Sequence, residues 1–90
     1  KIPENFLLYQ NYPNPFNPET NISFSLAEKS FVTLKVYDTL GREVQELVND
    51  YYSPGKHTVK FSSDNLTSGV YFYKIISNKT TKTMKMILQK

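Results

Sequence analysis

Phe31-Val-Thr-Leu-Lys-Val-Tyr-Asp38 sets Val32, Leu34 and Val36 on one parity and Thr33, Lys35 and Tyr37 on the other. A period of two sends alternate side chains to opposite faces of an extended chain, so this stretch is a strand with one face in a core and one in water. Upstream, Asn21-Ile-Ser-Phe-Ser-Leu26 alternates Ile22, Phe24 and Leu26 against Ser23 and Ser25. The connection Ala27-Glu-Lys-Ser30 would join the two strands as a hairpin. Downstream, Leu40-Gly41-Arg42 is a turn, and Arg42 to Val48 offers Val44, Glu46 and Val48 in alternation. Leu47 interrupts that pattern. A helix over Arg42 to Asn49 would gather Val44, Leu47 and Val48 on one face, but the shortness of the run and its strand neighbours favour a strand.

The same grammar continues to the end of the chain. Tyr52-Ser-Pro-Gly-Lys56 is a turn, and His57, Val59 and Phe61 alternate with Thr58 and Lys60. Gly69-Val-Tyr-Phe-Tyr-Lys-Ile-Ile76 is apolar on both parities, as a central strand is, and Tyr71, Tyr73 and Ile75 form the unbroken set assigned to the core. Ser77 to Thr80 is a hairpin, followed by a last strand, Thr80 to Leu88, with Met84, Met86 and Leu88 inward. With Asn5 to Tyr12 as a leading strand, the count is about seven short strands joined by tight turns. That spacing predicts an all-β fold, an antiparallel β-sandwich of immunoglobulin or fibronectin III type.

Ninety residues and 10.5 kDa accommodate one domain. At that mass, folding hides about 64% of the extended chain's surface, enough for one modest core and too little for a deep catalytic cleft. The division read here is a leading segment or linker end over residues 1–8 and a single sandwich over residues 9–90. Without cysteine there is no disulfide, thiolate metal site or cysteine nucleophile. The net charge of +3 is unevenly spread: residues 1–64 carry six Lys or Arg against eight Asp or Glu, and residues 65–90 carry five Lys and no acid. No apolar run has the length of a membrane span, and Lys1-Ile-Pro-Glu-Asn5 does not resemble a signal peptide.

Catalytic patterns are missing. His57 stands in an alternating strand with no nucleophile or acid at a motif spacing, so a structural or surface role is expected. Asn14, Asn17, Glu19 and Asp38 carry hard oxygens that calcium accepts, although Asn-Pro pairs more often make turns; no metal and no cofactor is expected. Lys74, Lys79, Lys82, Lys85 and Lys90 near Tyr71, Phe72 and Tyr73 could suggest nucleic acid, but lysine on exposed strands commonly blocks edge pairing, and no nucleic-acid partner is expected. The most unusual stretch is Tyr12-Pro-Asn-Pro-Phe-Asn-Pro-Glu-Thr20. Pro13, Pro15 and Pro18 fix φ and remove donors, so this is a rigid corner rather than a paired strand. Phe16 should plug the end of the core, with Asn14 and Asn17 bonding to neighbouring backbone.

Five stretches carry a family resemblance. Tyr12-Pro-Asn-Pro-Phe-Asn-Pro18, Thr20 to Leu26, Val36-Tyr-Asp-Thr-Leu-Gly-Arg-Glu-Val44, Leu66-Thr-Ser-Gly-Val-Tyr-Phe-Tyr-Lys74 and Lys82-Thr-Met-Lys-Met-Ile-Leu-Gln-Lys90 follow one another in the order seen in type A C-terminal sorting domains of the type IX secretion system. The chain resembles that family over residues 9–90. Its Pro-Asn-Pro and Gly-Val-Tyr motifs are also similar to those of the immunoglobulin-like domain of the flagellar hook-capping protein.

The resemblance implies a non-catalytic β-sandwich at the C-terminus of a secreted bacterial protein. It would be read in the periplasm, passed through the outer-membrane translocon of that system and cut by a sortase that attaches the cargo to the cell surface. The implied partners are that machinery and an upstream cargo in the same chain, with no membrane insertion and a monomeric domain. The implied signal lies in Gly69, Tyr71 and the segment from Lys82 to Lys90, with Lys82, Lys85 and Lys90 presenting charge. The competing reading is a structural or carbohydrate-binding accessory module of a larger enzyme, for which Tyr9, Tyr37, Tyr51 and Tyr52 would have to form an aromatic row.

Overall fold

The computed structural model describes residues 6–90, which form seven strands and, among the described residues, no helix. They are β1 (Leu7–Leu8), β2 (Glu19–Leu26), β3 (Ser30–Tyr37), β4 (Glu43–Tyr52), β5 (Gly55–Ser62), β6 (Gly69–Ser77) and β7 (Thr80–Leu88). One sheet has the order β1-β2-β5 and the other β4-β3-β6-β7, with every neighbouring pair antiparallel. The alternation in the sequence sets the packing. Ile22, Phe24, Leu26 and Phe61 from the first sheet bury themselves with Val32, Leu34, Val36, Tyr71, Tyr73, Ile75, Met86 and Leu88 from the second. In the second sheet β3, β6 and β7 stand as strands C, F and G do in the immunoglobulin fold, with β4 added beside β3.

The hairpin expected between β2 and β3 does not form. β2 pairs with β5, from Glu19↔Ser62 to Leu26↔Gly55, while β3 lies between β4 and β6 in the other sheet. Ala27 to Lys29 therefore cross from sheet to sheet. Two strands with one apolar face each can share a core side by side or face each other across it, and alternation is the same in both cases. Phe24, Ser25 and Leu26 are all buried at the end of β2, Ser25 beside Tyr9, whose hydroxyl lies 3.1 Å from its Oγ.

Leu47, which interrupts the pattern of β4, is a β-bulge. The register steps from Leu34↔Val48 to Lys35↔Glu46, skipping Leu47, and again from Val36↔Gln45 to Tyr37↔Glu43, skipping Val44. Each extra residue shifts the following side chains to the other face. As a result Val44, Leu47, Val48 and Tyr52 all reach the core from one strand. The helix-like spacing in the sequence is the imprint of these two bulges.

The leading strand is shorter than expected, and Asn5 lies outside the described residues. Only Leu7 and Leu8 pair regularly with β2; beyond them Tyr9 N–H donates to Ser23 O (3.0 Å), and Tyr12 and Asn21 exchange bonds of 2.9 and 3.0 Å before Pro13 ends the ladder. Phe16 is 2% exposed and meets Phe61 edge-on, with ring centroids 5.9 Å apart. Phe16→Ala should cost about 3–5 kcal/mol through lost burial and the cavity left behind. Chemical denaturation checks this: the midpoint is expected to fall sharply, and an unmoved midpoint would place the corner outside the core.

Candidate functional site

A proline carries no N–H but keeps its carbonyl, so a corner built from Pro13, Pro15 and Pro18 must be held by donors from elsewhere. The Pro13 carbonyl accepts from Asn11 Nδ2 (3.1 Å) and Thr20 Oγ1 (2.8 Å), and Asn11 Nδ2 also donates to Thr20 Oγ1 (3.0 Å). The Pro18 carbonyl accepts from Ser63 N (3.0 Å) and Ser63 Oγ (2.8 Å). Asn11, Thr20 and Ser63 are all buried, and the side chain of each donates to a proline carbonyl of the corner. The sequence reading missed these three; the signal was three prolines within six residues, whose carbonyls need donors.

The corner then grips the last strand. Phe16 N–H donates to Ile87 O (3.0 Å), Gln89 N–H donates to Phe16 O (3.0 Å) and Ile87 N–H donates to Asn14 Oδ1 (2.9 Å). One further bond, from Gln10 Nε2 to Lys85 O (2.8 Å), continues along the same edge. Asn14 was expected to bond to neighbouring backbone. Instead it reaches across 73 residues, because β7 presents an open edge of donors and acceptors that a proline-rich segment cannot pair as a full strand.

Opposite the corner lies the start of β6. Tyr71 is 6% exposed, and its hydroxyl donates to Thr67 O (2.7 Å), four residues upstream. A tyrosine near the start of this strand with its hydroxyl bonded back to the preceding loop is the tyrosine corner of immunoglobulin-like sandwiches. Gly69 pairs with Leu88 and has φ +151°, a conformation that side-chain-bearing residues rarely adopt. Lys90 N–H donates to Ser68 Oγ (2.9 Å), and Lys90 Nζ reaches Asp64 O (3.4 Å), so the chain's last residue lies on the same loop.

The turn between β3 and β4 completes this end. The Asp38 carboxylate accepts from Leu40 N (2.9 Å), Arg42 N (3.0 Å) and Arg42 Nε (2.8 Å), and these bonds hold its pKa below the usual carboxylate value, the Arg42 backbone bond foremost. Backbone bonds Gly41 N to Asp38 O and Asp38 N to Arg42 O, both 3.0 Å, close the turn, and Gly41 takes φ +82°. A cleft of about 410 Å³ lies at the far end of the sandwich among Phe6, Leu26, Ser30 and Lys82, and one of about 370 Å³ lies here between Leu40, Arg42, Leu66 and Tyr71.

The recognition residues expected from the sequence are thus only partly brought together. Gly69, Lys90 and the corner Pro13-Asn-Pro-Phe-Asn-Pro18 share one end of the sandwich, with Tyr71 buried beneath them. Lys85 is exposed on the outer face of β7 opposite Phe72. Lys82 pairs with Ile75 near the other end, its Nζ 5.9 Å from the Phe6 ring centroid. Eight steps of largely extended chain separate it from Lys90, on the order of 26 Å. The oxygens considered for calcium do not form a cage: Asn14 is used on β7, Glu19 pairs with Lys60 (3.6 Å) and Asp38 with Arg42. Among the described residues no group of three His, Cys, Asp or Glu side chains comes together.

His57 packs between Phe24 and Tyr52, with centroids 5.6 and 4.8 Å away, and its Nε2 lies 2.7 Å from Ser53 O. The aromatic row needed for a sugar-binding module is not assembled. Tyr52 packs inward on Phe24, Tyr9 lies on the other sheet against Ser25 and Lys56, and Tyr37 and Tyr51 stand at opposite ends of the β3–β4 pair.

The described residues form a seven-strand antiparallel sandwich with a tyrosine corner, the architecture of the immunoglobulin-like class. Comparison with family models is specific: residues 10–89 match the secretion system C-terminal sorting domain, and the chain belongs to that family of type IX secretion signals. Comparison with curated proteins finds no match, and neither does comparison with solved structures.

Tyr73 ties the leading segment to this framework. Its ring is fully buried, and its hydroxyl donates to Tyr9 O (2.8 Å) and accepts from Asn11 N–H (2.8 Å). Burial pushes its pKa up to about 12. A phenol that holds its proton more tightly when folded contributes stability that is present below its unfolded value near 10 and is lost as pH rises toward 12. Tyr73→Phe should therefore abolish a phenolate absorbance step near pH 12 and flatten that part of the alkaline unfolding curve. A difference titration without that step would show the hydroxyl to be in water.

Proposed function

We propose that this chain is the terminal address of an exported protein: recognised in the periplasm while folded, it directs an upstream cargo through the outer-membrane translocon, after which a sortase separates the two. Membership of the sorting-domain family supports export to the cell surface or the extracellular space through type IX machinery, and sorting domains of this family are not catalysts. The observation that carries the folded-state part of the reading is the clasp of Asn14 and Phe16 on Ile87 and Gln89, which makes the last strand a product of the whole fold. A linear tail would need no such support. The residues read are Gly69, Lys85 and Lys90 with the loop held by Tyr71, and Lys82 acts apart from them at the other end. On this reading residues 9–90 form the sorting domain and residues 1–8 lead into it.

Fusion of residues 1–90 behind a periplasmic passenger tests this in a bacterium with the type IX system. The passenger should reach the surface or medium. Lys85→Gln with Lys90→Gln should lower export while leaving the melting curve in place, since exposed substitutions usually change stability by no more than about 0.5 kcal/mol. Lys82→Gln should have the smaller effect. Normal export by the double variant would remove lysine charge from the signal, and a passenger stranded by the intact, folded domain would overturn the sorting reading.

A further inference from the structure

The outer faces of both sheets carry a lysine over a tyrosine ring, Lys56 on Tyr9 (4.7 Å) and Lys74 on Tyr37, but differ in what surrounds that pair. The three-stranded sheet shows water Glu19, Asn21, Ser23, Lys56, Thr58 and Lys60, with Ser23 and Thr58 hydroxyls bonded to each other (2.8 Å) and Lys60 paired with Glu19. The four-stranded sheet instead presents Tyr37 and Phe72 side by side, and Lys74 Nζ lies 5.0 Å from the Tyr37 ring centroid. These residues line a shallow hollow of about 320 Å³ with Asp38, Thr39, Gly41 and Thr83. The turn from Asp38 to Arg42 is the wall between this hollow and the cleft of about 370 Å³ next to Tyr71. At its tip stands Leu40, 75% exposed.

One exposed leucine is ordinary on any surface. This one differs in how it is held. Three bonds to the Asp38 carboxylate and two backbone bonds fix the turn, so presenting Leu40 to a partner costs little ordering entropy. A rigid apolar tip with a hollow on each side has the form of a binding hot spot, in which one large side chain enters a socket and the surrounding contacts exclude water.

Charge selects the partner. The carboxylates near the tip face cations: Asp38 lies against Arg42 (2.8 Å), while Glu43 (3.3 Å) and Glu46 (3.9 Å) share Lys35, so with Lys74 and Lys85 four cations stand against three carboxylates. Among the described residues Lys74 and Lys85 make no ion pair, and Lys85 stands beside Phe72 across the β6–β7 ladder. The field leaving this face is basic, and a complementary surface is acidic.

We infer that the Asp38–Arg42 turn is the docking element through which the sorting reading above operates: Leu40 enters an apolar socket on a protein partner, and carboxylates at the socket's rim meet Lys74 and Lys85. The inference rests on that reading and adds the surface used and the chemistry of the surface it meets.

The passenger fusion tests it with surface variants, each checked for an unchanged melting temperature. Leu40→Ala and the pair Lys74→Glu with Lys85→Glu should each lower export by about tenfold or more, the loss expected of a hot spot or of reversed charge in a contact. Lys56→Glu with Lys60→Glu, the same charge change on the opposite sheet, should leave export at the unsubstituted level. Export unchanged by Leu40→Ala overturns the docking assignment while leaving the sorting reading intact. Equal losses from both lysine pairs overturn it as well, because they would reflect net charge rather than a site. A passenger stranded by the unsubstituted domain removes the sorting reading and this inference together. Titration of the purified domain with polygalacturonate addresses the other acidic class: binding that Lys74→Glu with Lys85→Glu abolishes would replace the protein partner with an acidic glycan, and an absence of binding supports the protein socket.

Discussion

The structure depends on one constraint, that the final strand cannot be left with an open edge. Among the described residues β7 pairs as a strand with β6 alone, and on its other side its backbone groups would meet water or a second chain. A full eighth strand is not used to cover it. The chain places three prolines there, and between Pro15 and Pro18 a single residue, Phe16, offers both an N–H and a carbonyl to β7 while its ring fills the end of the core. Prolines limit pairing to that one residue, so the edge is closed without becoming a template for further strands. The hydrophobic plug and the backbone clasp are the same residue, and neither can be lost alone.

From that contact the rest of this end of the sandwich follows. Gripping β7 sets Leu88 against Gly69 and brings Lys90 to the loop that Tyr71 fastens from below. The loop and the β3–β4 turn then form two walls of one cleft. Residues separated by most of the chain's length arrive at a common surface only in the folded domain. On the proposed reading, a secretion system that met this surface would meet it only on the folded domain.

The parts of the fold legible in the sequence were those governed by local alternation. β3, β6 and β7 each announce an inward set, Val32-Leu34-Val36, Tyr71-Tyr73-Ile75 and Met84-Met86-Leu88, because side-chain direction in a strand depends on parity alone. Which strands lie side by side was not legible, since β2 and β3 bury the same faces whether they pair or oppose each other. The bulges at Val44 and Leu47 were visible only as a broken pattern with two explanations. At the functional end the motifs named Phe16, Gly69 and Tyr71. They did not name Asn11, Thr20 and Ser63, ordinary polar residues whose role appears only when the proline carbonyls they serve are in place. The lysines of the last strand read as one cluster along the sequence and are spread over a face and both ends in space, because a strand separates its residues by about 3.3 Å each.

Amide hydrogen exchange of the intact domain tests the clasp most directly. Ile87 and Gln89 donate to Asn14 and Phe16 rather than to a neighbouring strand. If the proline corner is an integral part of the fold, these two amides exchange as slowly as those of Tyr73 and Ile75 in β6 and open only with the whole domain. Fast exchange at Ile87 and Gln89 beside a protected β6 would contradict the account, and would show that the last strand ends in a free tail.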